Sequence, residues 1–421
     1  KSKMETNWDL LIENHFDKKE TLAMDMLVEM VEDLMSENIS NRGDVAEGLI
    51  ACAIVAKLAA RKPGVIPPID KDDVWNIVQT LKGNGDELEM KVQGAKSGIV
   101  DTIKYTVGLP KAPFRDLVDP NKRHLLESEY AGALKYANEE VQELAEAMYG
   151  LEENSVIKIS AEGTKDQQGK KADIFVFYPT EDEIERALSA KAGKTEQVDQ
   201  TRGIKFDAVK KLFSKWDVDI EPLRTQYNDI LKDIPQNMAT IYPYLRTNPE
   251  SKVARKFIRD TADWSADISK ALLPIYKAAE DQYKRDLNNK RLADIVATAV
   301  TGEGASKENA LKLLKLVDGD YKLAGFGEKF AKAMEAAKFE VVLDKSKKYP
   351  YLVFNLVYDD PETGEEVKER AFQIRPKVEI ESKKVEEKDD DGKVVNEYKT
   401  YYWLLRNYVE GGPALLDLAK L

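Results

Sequence analysis

The stretch 170-KKADIFVFYPTEDEIERALSAKAG-193 contains two apolar runs joined by an acidic link. The first, DIFVFY, opens on Asp173 and is then continuously apolar, the pattern of a central strand. The second, RALSAKAG, carries Ser189 and Lys191 two residues apart. On a strand that spacing puts both on one face with Ala187 and turns Leu188, Ala190 and Ala192 to the other. The stretch therefore reads as a strand pair with a carboxylate opening one strand and a lysine near the end of the next. Solvated hairpin ends would explain both charges. A metal-dependent phosphodiester site would explain them by function, and the rest of the chain must weigh the two.

Upstream, GDVAEGLIACAIVAKLAAR has the periodicity of a helix, with Asp44 placed as its N-cap. From Val45 to Ala60 only Glu47 and Lys57 are charged. A helix apolar nearly all round is buried, and a buried carboxylate needs a partner or a metal. A salt bridge, or the favourable dipole at a helix N-terminus, is the plainer explanation for Glu47. Downstream, IKFDAVKKLFSKW reads as a helix. From Ser189 to Lys215 there are seven Lys/Arg against three acids, in a chain of net charge −12. That segment could meet a phosphate backbone through Lys194, Arg202, Lys205, Lys210 and Lys211. A solvated helix face would have the same pattern.

Composition narrows the chemistry. The 421 residues allow two or three cores. Cys52 is the only cysteine, and His15 and His124 are the only histidines. Disulfide frameworks, zinc knuckles and ribbons, and HExxH or HNH sites therefore lack parts. Catalysis, if present, must use carboxylates, lysines or hydroxyls. No apolar run approaches the roughly 20 residues of a membrane span, so no membrane partner is expected. KSKMETNWDLLIENHF has no apolar signal core, so no export signal is expected, and a cytoplasmic setting, including that of a virus or mobile element, is the expectation.

Taken in order, Glu47 on a helix, Asp173 on one strand, and Ser189 and Lys191 on its neighbour resemble the PD-(D/E)XK nuclease superfamily over about residues 40 to 216. The carrying segments are GDVAEG, KADIFVF and LSAKAG. The resemblance implies an α/β (α+β) restriction-endonuclease-like core, a mixed central sheet with flanking helices. It further implies Mg²⁺, or Mn²⁺ in its place, held by Glu47 and Asp173 with the Ala190 carbonyl. Lys191 would orient the attacking water, and DNA, double-stranded by expectation, would be the substrate. A helix glutamine after the second motif occurs in some family branches, and Gln200 is assigned to it here. Ala172 stands where a proline is usual. Ser189 stands where a second acid is usual, as in members that bring that carboxylate from a helix. Glu47 fits that part, and Glu162 is a second candidate. If neither carboxylate reached the metal, the chain would be a weak or inactive nuclease-fold protein acting in DNA binding or assembly, as a homodimer or with a protein partner.

The expected organisation is a nuclease core with N-terminal helices over 1–217, a helical region over 218–337 and a β-rich subdomain over 338–421. METNWDLLIENHF and KETLAMDMLVEMVEDLMSE read as helices, and a long helix is expected from about His124 to Gly150. Other motifs carry less. The DDDG at Asp389 lacks a carboxylate at the twelfth position of a calcium loop and reads as a hairpin turn. The GTKDQQGKK at Gly163 lacks Walker spacing, and TGEGAS near Gly302 reads as a turn between helices. TYYWLLRNYV from Thr400 reads as a core strand or partner surface, although its rings could stack on bases.

Overall fold

The computed structural model describes residues 39–151, 153–161, 172–177, 184–192, 196–247, 250–302, 311–389 and 392–420. The two helices expected before residue 39, the loop from Gly163, Glu162 and Lys194 lie outside the described residues.

Helix α1 (Arg42–Ala59) is buried from Asp44 to Leu58, as its lack of a polar face requires. Its N-cap is Asn41, not Asp44. Asn41 Oδ1 accepts from Gly43 N and Asp44 N, and Asn41 Nδ2 donates to Asp44 Oδ2 at 2.8 Å. After α2 (Lys71–Thr80) come β1 (Leu88–Gln93) and β2 (Val100–Val107), then α3 (Lys111–Val118), α4 (Glu127–Glu140) and α5 (Gln142–Tyr149). The expected long helix is therefore two, divided at Val141 and preceded by a 3-10 turn at Pro120–Leu126. Next are β3 (Val156–Ala161), β4 (Ile174–Phe177) and β5 (Ile184–Ala192).

The chain then changes sheets. Residues 193–195 separate β5 from β6 (Glu196–Arg202), which leads into α6 (Phe206–Lys215). Helices α7 (Arg224–Leu231), α8 (Met238–Ile241), α9 (Ser251–Thr261), α10 (Ser265–Asp286) and α11 (Asn289–Thr301) follow. The region read as helical also holds β7 (Leu311–Val317) and β8 (Asp320–Gly325) ahead of α12 (Glu328–Ala336). The chain closes with β9 (Lys338–Asp344), β10 (Tyr351–Asp359), β11 (Glu366–Lys388), β12 (Val394–Gly411) and α13 (Pro413–Leu418).

The architecture is mixed α/β with two sheets. One is seven-stranded, ordered β1-β2-β3-β4-β5-β7-β8, and the other is antiparallel, ordered β6-β12-β11-β10-β9. In the first, β3, β4 and β5 form an antiparallel meander, and β7 returns parallel to β5 after the helical segment. Helix α1 packs on β2, β3 and β5 under α2, α3 and α4. Strand β7 alternates between two cores: Leu314 and Leu316 join the α1 side, Leu313 the side of the second sheet. The second core is rich in rings, with Phe354 stacked on Phe372 at 4.1 Å between centroids. At the end of the β11–β12 hairpin Asp389 N donates to Lys393 O and Gly392 takes φ 79°, while Asp390 and Asp391 lie outside the described residues. No described helix is long and apolar enough to cross a membrane.

One face of α4 clamps the β7–β8 turn. Gly319 N donates to Ser128 Oγ at 2.9 Å, and Lys135 pairs with Asp320 at 2.8 Å. Tyr321 sits edge-on to Tyr136. Between these, a Cβ on Gly132 would lie 2.6 Å from the Asp320 carbonyl oxygen. That contact is with backbone and cannot yield cheaply. We expect Gly132→Ala to lower unfolding free energy by about 1–3 kcal/mol, despite alanine's better helix propensity. A urea midpoint equal to or above that of the natural chain would count against the clamp.

Candidate functional site

Asp173 lies one residue ahead of β4, where the ladder with β5 runs out. Its N–H donates to Leu188 O at 2.8 Å, which keeps the residue in register. Its Oδ2 then collects three donors from the neighbouring strand: Ala190 N at 2.9 Å, Ser189 Oγ at 3.0 Å and Lys191 Nζ at 3.2 Å. The carboxylate thus takes the bond that a longer β4 would have made. The alternation read from the sequence explains the convergence. Leu188 and Ala190 enter the α1 core, while Ser189 and Lys191, two apart, both reach Asp173. The pair is not enclosed: the side chains of Lys191 and Asp173 are 30% and 23% exposed. Solvent and a ligand can reach it.

Helix α1 brings the second component. Glu47 is 5% exposed, and its Oε2 has no hydrogen-bond partner among the described residues. Its carboxyl is pushed up to about 9, first by burial, then by the charges of Asp173 and Asp44, with Lys191 acting the other way. Asp44 is raised as well, by burial first and then by Asp173; the Asn41 hydrogen bond and Lys191 oppose. Four charged groups from three segments therefore share one electrostatic neighbourhood. The next residue, Gly48, lets the helix sit close: a Cβ there would lie 2.6 Å from Leu117 Cδ2.

Asp44 is the member that sequence reasoning placed elsewhere, as a cap. The available signal was its spacing, since i and i+3 share a helix face with Glu47. Gln200 goes the other way. It is on strand β6, opposite Tyr408 in the second sheet, not on a helix after the motif. Of the expected DNA contacts, Arg202 is ion-paired with Glu381, and Lys210 with Glu221 at 2.7 Å. Lys205 and Lys211 are exposed at the start and middle of α6.

The donor set suits a hard divalent cation in a limited way. Among the described residues no group of three or more His, Cys, Asp or Glu is disposed to hold a metal. Mg²⁺, however, binds through one or two carboxylates, keeping waters and substrate phosphates as its other ligands. Glu47, whose buried Oε2 has no partner among the described residues, and Asp173, whose charge acts on it, would be those two carboxylates. Ala190 is placed at the same point of β5 by its N–H bond to Asp173.

A proton neutralises Glu47 in the folded chain, and this has a pH consequence. Folding raises the Glu47 carboxyl from its ordinary 4.5 to about 9. The folded state therefore binds the proton more tightly, and the associated stability is full below about 4.5 and is lost as pH rises toward about 9. Glu47→Gln, which cannot ionise, should be close to the natural chain in stability at about pH 4.5 and more stable at about pH 9. Parallel urea midpoints across that range would show that Glu47 is not the titrating group.

No family model, no curated protein and no solved structure matches this chain.

Proposed function

We propose that the chain is a Mg²⁺-dependent deoxyribonuclease with a restriction-endonuclease-like core, acting on double-stranded DNA. One observation carries the reading: Lys191 and Ser189 reach Asp173 across a strand pair while α1 brings Glu47, whose Oε2 is unpartnered among the described residues, into the same field. The meander β3–β4–β5 with its parallel neighbour β7 supports it, because this arrangement ends β4 at the point where β5 presents the lysine.

Glu47 and Asp173 would hold the ion, with the Ala190 carbonyl. When bound, Mg²⁺ supplies positive charge to the scissile phosphate and a water of lowered pKa. Lys191 orients that water and offsets the negative charge growing on the phosphoryl oxygens. Water adds to phosphorus, the bond to one ester oxygen breaks, and a phosphate monoester and a hydroxyl result. Ser189 donates to Asp173 and holds its carboxylate in place, without supplying a second charge. Asp44 adds to the negative field that draws the cation.

With Mg²⁺ and a supercoiled plasmid, we expect the natural chain to cut. Asp173→Ala and Lys191→Ala should each slow cutting at least about 100-fold, the scale of lost acid–base or electrostatic assistance. Equal rates in all three would sink the assignment. The direct Lys191–Asp173 pair and the absence of a three-acid group among the described residues favour a second reading, a DNA-binding protein on this core that does not cut. DNA retention without cleavage in Mg²⁺ or Mn²⁺ would select it.

A further inference from the structure

Helix α9 divides cleanly by side-chain type. Ala254 and Ile258 enter the second core, and Phe257 packs against it. The opposite face carries Lys252, Arg255, Lys256 and Arg259, spaced three and four residues apart, with Asp260 the only acid in the helix. Arg255 and Arg259 border a groove of about 320 Å³ whose other wall is Glu379 to Ser382 on β11. The groove's two carboxylates already have partners. Glu381 pairs with Arg202 and with Arg406 at 2.5 Å. Glu379 pairs with Lys377 at 2.5 Å and Arg406 at 3.2 Å. The groove's own lining thus holds two arginines and two acids, and those acids are also paired with Arg202, Lys377 and Arg406 from outside the lining. Arg255 Nε is buried with no hydrogen-bond partner among the described residues.

We propose that this groove binds the phosphate backbone of DNA. Lys252 to Arg259 spans ~10 Å of helix, over which one DNA strand presents about three phosphates. A planar guanidinium makes paired hydrogen bonds to phosphate oxygens, which suits Arg255 and Arg259. The inference extends the nuclease reading by giving the same substrate a further contact on the other sheet. It rests on that reading for the choice of DNA, but binding measured in EDTA tests it apart from cleavage.

The measurement is fluorescence anisotropy with a labelled duplex of ~30 base pairs, across a range of salt. Arg255→Gln/Arg259→Gln should weaken binding about 10-fold near 0.1 M salt and lower the salt slope by about 2. Lys345→Gln/Lys347→Gln, an equal charge change at exposed positions between β9 and β10, should bind as the natural chain does. Arg255→Lys/Arg259→Lys should keep the natural salt slope. Natural binding by the glutamine variant, or equal loss in the lysine variant, would overturn the inference. So would an absence of duplex binding by the natural chain. Displacement of DNA by inorganic phosphate, beyond the effect of chloride at equal ionic strength, would mark a site for single anions and overturn it too. Loss of binding in the glutamine variant supports it even if plasmid cutting is never seen.

Discussion

A carboxyl group with one buried oxygen unpartnered among the described residues, held on a helix that is buried all round, is the constraint on which the candidate site depends. Glu47 is 5% exposed, and its neighbours Asp173 and Asp44 repel its charge. Its carboxyl therefore holds a proton up to about pH 9. Lys191 supplies one positive charge nearby, but its amine is directed at Asp173, and Glu47 Oε2 has no partner among the described residues. Under the proposed function that proton would be exchanged for a hard cation, and the exchange would link pH, ion binding and folding in one group.

The surrounding fold keeps these groups together. Helix α1 has no polar face to rotate toward solvent, and Gly48 allows close packing near Leu109 and Leu117. Strand β4 is four residues long, and its end leaves the Ala190 N–H to Asp173. Strand β5 is held on its other edge by β7, which α4 fixes in turn through the β7–β8 turn. The position of Lys191 is therefore set by segments more than a hundred residues apart in the chain.

Charge is distributed with similar economy. Most cations around β6 and α6 answer acids of the chain itself, so local excess in the sequence does not become a free basic surface. On α9 the cations share one face, and the acids opposite them already have partners. An acidic protein can then offer phosphate a restricted groove without a generally basic surface.

Much of the site was legible in local patterns. The burial of Glu47 follows from the apolar run around it, and the common direction of Ser189 and Lys191 follows from a period of two. The hairpin at DDDG follows from turn chemistry. These readings depend on neighbours within a few residues, where backbone sterics and side-chain spacing act directly. Asp44 and Gln200 were misplaced for the complementary reason. Asp44 has the residue type of a cap, but Asn41 takes that position in the fold. Gln200 follows the motif closely in sequence, but the pairing of β6 with β12 carries it into the other sheet. The composition of the first sheet was likewise hidden, because β7 joins it from beyond the helical segment. Local spacing sets which face a side chain takes. Which strands lie side by side, and so which charges meet, is decided by long-range pairing and burial, and only the folded chain contains that information.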